Sequence, residues 1–452
     1  FEEGKLDSLE EWANESDRRD ILDRDNESDR ALVRAPPWSV HGGAGWVERS
    51  WFGVGFSTPS WTTGLVEKGY VEHVDVNVRA EYVAPVDNLI NESAYSPPVS
   101  SAAVPGEWTT DGVAFNEDAN RTNMSEVRDV TGVDNVTETG SGVTVAVIDT
   151  GANVGDGRVF GNGTAGSSIR ITAAKNFITN ESVDVSSSDP DWSTIADGNG
   201  HGSWVTAAVA ANVSGTEHDG MAPNADLLVA RALDDDGAGD IQDLVDAVEW
   251  AEENGADVIT MSLGSPVYSP TLVDELRESI HNGSVSVATV AAGNARQNPA
   301  LRYVASPADA PVDGIVAVAA TNGADNVSGS MSAYFSNVGP DPARDLSNGA
   351  SAGQGVDVAA PGMKVVAPVL TSTDGIRQNR SLSGTSMATP IVAGGYALVL
   401  EKRSEWANET AVAEWTENTS RRMPEAGTTE VGAGMLAVDR LGDKETADET
   451  QA

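Results

Sequence analysis

Three short motifs in this chain carry side chains that together could open an acyl bond. Asp149-Thr150-Gly151 closes one apolar run, and Gly200-His201-Gly202 opens a small-residue segment. Gly384-Thr385-Ser386-Met387-Ala388-Thr389-Pro390 opens a long apolar one. Hydrolysing a peptide without metal or thiol needs a hydroxyl nucleophile, a base to take its proton, and a carboxylate to orient that base. Ser386 supplies the hydroxyl. His201 would accept its proton and return it to the leaving amine. Asp149 would hold the imidazole in the right tautomer and stabilise the imidazolium. A fourth piece, Ala291-Ala292-Gly293-Asn294, brings a side-chain amide. With the backbone N–H of Ser386 it could bind the oxyanion of a tetrahedral intermediate. Asp-Thr-Gly, Gly-His-Gly and the turn bearing Asn294 are each ordinary alone, whereas Gly-Thr-Ser-Met-Ala-x-Pro is specific. Their conjunction, in one order and in a chain of five histidines, gives them weight.

The surrounding pattern supplies elements that could hold these groups. Val143–Ile148 is a continuous apolar run, as expected of a strand buried on both faces. The runs 225–232, 256–261, 285–290 and 314–319 read the same way. Ile241, Leu244, Val245, Val248 and Ala251 recur at helical spacing before Asn254-Gly255, a C-terminal stop. Leu272, Leu276 and Ile280 mark a second helix ending at Asn282-Gly283. Two more helices are expected from the segments after His201, through Ala211, and after Ser386, through Leu400. Strands separated by helices predict an α/β fold with a mostly parallel sheet covered on both faces. Reactive groups then collect at the carboxyl ends of the strands, which is where Asp149 falls.

Upstream the character differs. Residues 1–30 are dominated by charge and read as an exposed helix or a flexible arm, and residues 31–34 as a short strand. Apolar and polar residues alternate from Val74 to Tyr82, the period of a half-buried strand. The expected organisation is a smaller α+β N-terminal domain over 1–95, a Pro- and Ser-rich linker over 96–117, a main domain over 118–445 and an acidic tail over 446–452.

Charge is the outlier: 69 acidic against 28 basic residues give a formal net charge of −41, with only six lysines. Such a surface repels phosphates, which argues against nucleic acid or an anionic membrane as partner. Self-repulsion at low salt should weaken the compact state, whereas at molar salt the screening length falls to about 3 Å. The composition is therefore expected to be salt-adapted. No apolar run reaches the length of a transmembrane helix, and with no cysteine there are no disulfides or thiolate metal sites. Fourteen Asn-x-Ser/Thr sites, more than chance predicts, lead us to expect an exported protein, extracellular or at the cell surface; the start at Phe1 fits an export signal either removed or omitted.

On these motifs, in the order Asp, His, Ser, the chain resembles the subtilisin-like serine proteases, the subtilase family. Its acidity is similar to that of the haloarchaeal members, the halolysins. Val229-Ala230-Arg231-Ala232-Leu233 with the following Asp234–Gly239, Ser262-Leu263-Gly264 and Gly355–Gly362 extend the resemblance over roughly 118–445. It implies a three-layer subtilisin-like fold and a serine endopeptidase working through an acyl-enzyme. It also implies that a peptide or protein substrate lies extended between Gly237–Gly239 and Ser262–Gly264, by strand addition. Ala291, Ala292 and Gly293 would line the pocket for the residue before the cut. The chemistry needs no cofactor. Structural calcium is common in the family, but its ligands have no counterpart mapped here, and Asp234-Asp235-Asp236 reads as a solvated charge run. Ser203 and Trp204 depart from the family's usual residues. Gly69–Tyr82 is similar to the end of a subtilase propeptide, so this region is either a removable leader contacting the cleft or a permanent accessory domain. A catalytically silent binding protein and a peptide ligase are the competing readings of the same triad.

Overall fold

A computed structural model describes residues 121–440, apart from 156, 162–165, 214–216, 300, 323–326, 341–354, 373–376 and 408–410. Before residue 121 it describes the backbone of five strands. Two units are distinguished: residues 1–78 with 269–271, and residues 79–268 with 272–452.

The smaller unit contains two antiparallel hairpins. In the first, β1 (Asp20–Asp25) pairs with β2 (Arg30–Arg34). In the second, β3 (Trp46–Trp51) pairs with β4 (Val54–Pro59). β2 covers the strand expected at 31–34. Residues 20–25 are neither helix nor free arm: their backbone is laddered to β2. Charge density around Ile21-Leu22 masked a short strand whose partner is the apolar stretch Ala31–Val33. The expected linker and acidic tail lie outside the described residues.

The larger unit opens with β5 (Arg79–Tyr82), the last four residues of the alternation read over 74–82. β6 (Thr122–Asn123) leads into α1 (Met124–Thr131). The central sheet then begins with β7 (Thr144–Asp149), β8 (Ile171–Asn176) and β9 (Glu181–Ser182). Next come α2 (His201–Ala210), β10 (Asp226–Arg231), β11 (Ala238–Asp240) and α3 (Ile241–Glu253). β12 (Val258–Met261), β13 (Leu263–Gly264), α4 (Pro270–His281) and β14 (Val287–Ala291) follow. Last are β15 (Ile315–Thr321), β16 (Val358–Pro361), the hairpin β17 (Val365–Leu370) and β18 (Arg377–Leu382), and α5 (Thr385–Lys402).

Eight strands form one sheet in the order β16-β15-β14-β12-β7-β10-β8-β9. Every pairing is parallel except β8 with β9. The order reverses around β7, flanked by β10 on one side and β12 on the other, so a crevice opens at the carboxyl ends of these strands. Residues 145–149 of β7 are all buried, as a strand covered on both faces requires. On one face Val145, Val147, Leu227, Val229, Val258 and Val287 join the apolar residues of α2 and α5 in a continuous core. α3 packs against β7 and β10. Each fully buried aliphatic side chain contributes roughly 1.5–3 kcal/mol relative to exposure. A core of this extent can therefore hold strand ends in fixed register. The architecture is the expected subtilisin-like α/β fold.

Candidate active site

Asp149 is the last residue of β7 and His201 the first of α2, and both side chains are 1% exposed. His201 Nδ1 lies 2.7 Å from Asp149 Oδ1. The same oxygen accepts the backbone N–H of Thr150 at 2.7 Å, so the carboxylate is aimed before it meets the imidazole. Gly200 reaches the left-handed region (φ 86°) to start α2 there. Gly202 is required by space: a Cβ would collide with the Gly151 carbonyl oxygen.

Ser386 stands in the first turn of α5, a long helix whose positive end favours negative charge developing nearby. Pro390, four residues on, has no N–H to offer the Ser386 carbonyl. That carbonyl accepts the Ser262 hydroxyl instead, at 2.9 Å. In return the Ser386 hydroxyl donates to the Ser262 carbonyl at 3.2 Å. Ser262 directly follows β12, the neighbour of β7. Two residues on from the Thr260–Val147 pair, Ser262 comes level with Asp149. Adjacent strands are about 4.8 Å apart, so serine and carboxylate share one end of the sheet.

Asn294 follows β14. Its Oδ1 accepts both the backbone N–H (2.9 Å) and the hydroxyl (3.0 Å) of Thr385. Fixing the oxygen turns the amide nitrogen the other way: a Cβ on Gly384 would lie 2.9 Å from Asn294 Nδ2. The donor is thus held against the turn that carries Ser386. The Thr385 hydroxyl in turn accepts the N–H of Gly293 at 3.1 Å.

The two expected substrate edges are also brought together, with a strand already between them. β5 pairs antiparallel with β11 on one side and β13 on the other. Ala80 stands opposite Gly239, Glu81 opposite Ala238 and Gly264, and Tyr82 opposite Leu263. Gly239 must lack a side chain, since a Cβ would collide with the Ala232 carbonyl oxygen, and Gly237 takes φ 81°. Ala291, Ala292 and Gly293 are buried, and Ala292 accepts the N–H of Ala305 at 3.0 Å.

Two residues at the site, Asn337 and Asp197, carried no signal in the sequence. Asn337 bonds the carbonyls of Leu301 (3.1 Å) and Tyr303 (2.8 Å), accepts the N–H of Ala295 (2.7 Å), and so ties down the loop bearing Asn294. Asp197 accepts from Thr150, Gly200 and Ser203. Trp204 is fully buried, and its indole N–H donates to the Arg380 carbonyl of β18 at 2.9 Å. Asp234 accepts the N–H groups of Asp236 and Ala238, and Asp235 pairs with Arg231. Among the described residues no group of three or more His, Asp or Glu side chains is placed to hold a metal ion. No helix among them is long and apolar enough to cross a membrane.

A doubly wound α/β sheet with an aspartate at a strand end, a histidine opening one helix and a serine opening another defines a serine–histidine–aspartate type of protein. The chain belongs to the subtilase family, whose model matches residues 140–441. It is 34% identical over 270 residues to an alkaline protease of Alkalihalobacillus alcalophilus, covering 60% of this chain and 57% of that protein. The chain therefore spans little more than half the length of that relative. Subtilisin BL of Lederbergia lenta is 34% identical over 270 residues, covering 60% of this chain and 80% of its own. Among solved structures, a cold adapted subtilisin-like serine proteinase matches at 27% identity with a TM-score of 0.49, covering 67% of this chain and 91% of that one.

Proposed function

We propose that this chain is a serine endopeptidase. Ser386 attacks a peptide carbonyl while His201 takes the hydroxyl proton, and Asp149 stabilises the imidazolium that forms. The oxyanion binds the Asn294 amide and the Ser386 N–H. The tetrahedral intermediate collapses, the C–N bond breaks, and the amine leaves with the proton from His201. Water then enters with His201 as base, the ester bond breaks, and the acid product and free Ser386 remain. The observation that carries this reading is the buried 2.7 Å contact of Asp149 with His201 one strand away from the Ser386 hydroxyl.

A fluorophosphonate probe should label wild type at Ser386, and Ser386→Ala should lose on the order of 10⁴–10⁶ in turnover. A loss below tenfold would sink the assignment. An unlabelled wild-type serine would mark a silent binding protein, and product joining with added amines a ligase.

The placement of β5 favours the leader reading of the N-terminal region. Substrate is expected to add as a strand between β11 and β13, and the chain's own residues 79–82 occupy that position. Tyr82, the last described residue of that strand, stands opposite Leu263, which directly follows Ser262, whose carbonyl meets the Ser386 hydroxyl. The bond first cut would then be Val83–Ala84. Mass spectrometry of freshly expressed wild type should find a new N-terminus at Ala84 that is missing in Ser386→Ala; an N-terminus elsewhere would refute the register. The fourteen Asn-x-Ser/Thr sites support export, and the net charge of −41 supports a salt-adapted, haloarchaeal-type enzyme.

A further inference from the structure

Asp197 is 4% exposed and lies between the residues flanking Asp149 and those flanking His201. Its Oδ1 accepts the Thr150 hydroxyl at 2.8 Å and the Gly200 N–H at 2.6 Å, and its Oδ2 accepts the Ser203 N–H at 2.7 Å. The Thr150 hydroxyl, having donated, accepts the N–H of Gly202 at 2.9 Å. Its backbone N–H is the one that aims Asp149. Asn153 completes the cage: its side chain accepts the Asp197 N–H (3.1 Å) and donates to the Asp197 carbonyl (3.0 Å), and its own N–H reaches the Ser203 hydroxyl (2.9 Å).

We propose that Asp197 is the positioning residue of the Asp149–His201 pair, acting through Thr150. The inference rests on the peptidase reading above. Gly200 precedes His201, Gly202 and Ser203 follow it, and Thr150 follows Asp149, so one carboxylate group fixes both partners from behind. A plain helix cap would need only the N–H groups of α2; the Thr150 hydroxyl adds a tie to the strand carrying Asp149. Burial raises the pKa of Asp197 and the four surrounding donor contacts, the Ser203 hydroxyl included, oppose that rise. Such an expensive group is retained only with its partners satisfied.

The experiment compares full-length wild type, Asp197→Asn, Thr150→Val and Thr150→Ser on one peptide substrate. Thr150→Val keeps shape and removes the hydroxyl. It should lower kcat about ten- to a hundredfold with KM within about twofold, because a misplaced base costs turnover rather than binding. Thr150→Ser should stay within about threefold of wild type, and Asp197→Asn should match Thr150→Val. The double variant Asp197→Asn/Thr150→Val should be no worse than the poorer single, since both break one tie. Wild-type kcat in Thr150→Val, equal losses in the serine and valine variants, or a rise in KM alone would each overturn the proposal. If Asp197→Asn fails to fold, the two Thr150 variants decide. An inactive wild type would instead overturn the peptidase reading, which separates the two failures.

Discussion

At the scale of single residues, the proposed reactive set is legible because its chemistry demands rare combinations. A serine within Gly-Thr-Ser-Met-Ala-x-Pro stands out in any chain, whereas a histidine between glycines gains weight only beside it. The proline carries a reason the motif alone does not reveal: it releases the Ser386 carbonyl for Ser262. Thr150, Asp197 and Asn337 were illegible, since Thr, Asp and Asn are common in loops and nothing in their spacing names their partners. Asn294 was legible only through its neighbours, yet its orientation is well determined by Thr385. Replacing Asn294 with Ala should reduce kcat by about 10²–10³ and leave KM nearly unchanged. A loss confined to KM would show that its amide meets the substrate before the oxyanion exists.

At the scale of elements, the buried parallel strands announced themselves as apolar runs, and their observed ends differ from the sequence reading by only one to two residues at most places. Strands at the margins did not. β8 is only partly buried and β9 is exposed, so neither carries a long apolar stretch. The β17–β18 hairpin was also missed; it explains Trp204, whose indole belongs to the packing of α2 against that hairpin rather than to the substrate cleft. Junctions between elements carry their own pH dependence. Asp257, between α3 and β12, accepts the N–H of Thr144 at the start of β7 at 2.8 Å, and burial raises its pKa. A carboxyl raised in the fold keeps a proton that the unfolded chain has released. Its contribution to stability is therefore full below the ordinary carboxylate range, near 3.9, and is lost as pH rises through its own higher value. Asp257→Asn keeps an acceptor for Thr144 without the charge. Its thermal midpoint should gain on wild type as pH climbs from about 3 to about 7; an offset constant across that range would argue against this assignment.

For the molecule as a whole, composition sets an expectation that no single contact displays. A formal charge of −41 is spread along the chain, and most ion pairs among the described residues are single contacts with one partner at the surface, each contributing about 0–1 kcal/mol. They cannot offset repulsion of that extent, whereas dissolved ions can. Unfolding midpoint and turnover should both rise between about 0.1 M and about 3 M salt. Flat curves would remove the salt-adapted reading while leaving the chemistry intact.

The ladder that seats β5 between β11 and β13 has a further consequence for timing. Backbone N–H and C=O groups make the pairing, so an incoming peptide of almost any composition meets the same edges. While one covalent thread joins occupant and host, their mutual concentration is set by geometry, in the millimolar range for short tethers, and adding solvent cannot lower it. If the proposed cut severs that thread, occupancy obeys mass action. The onset of activity in a freshly cut sample should then depend on how far it is diluted.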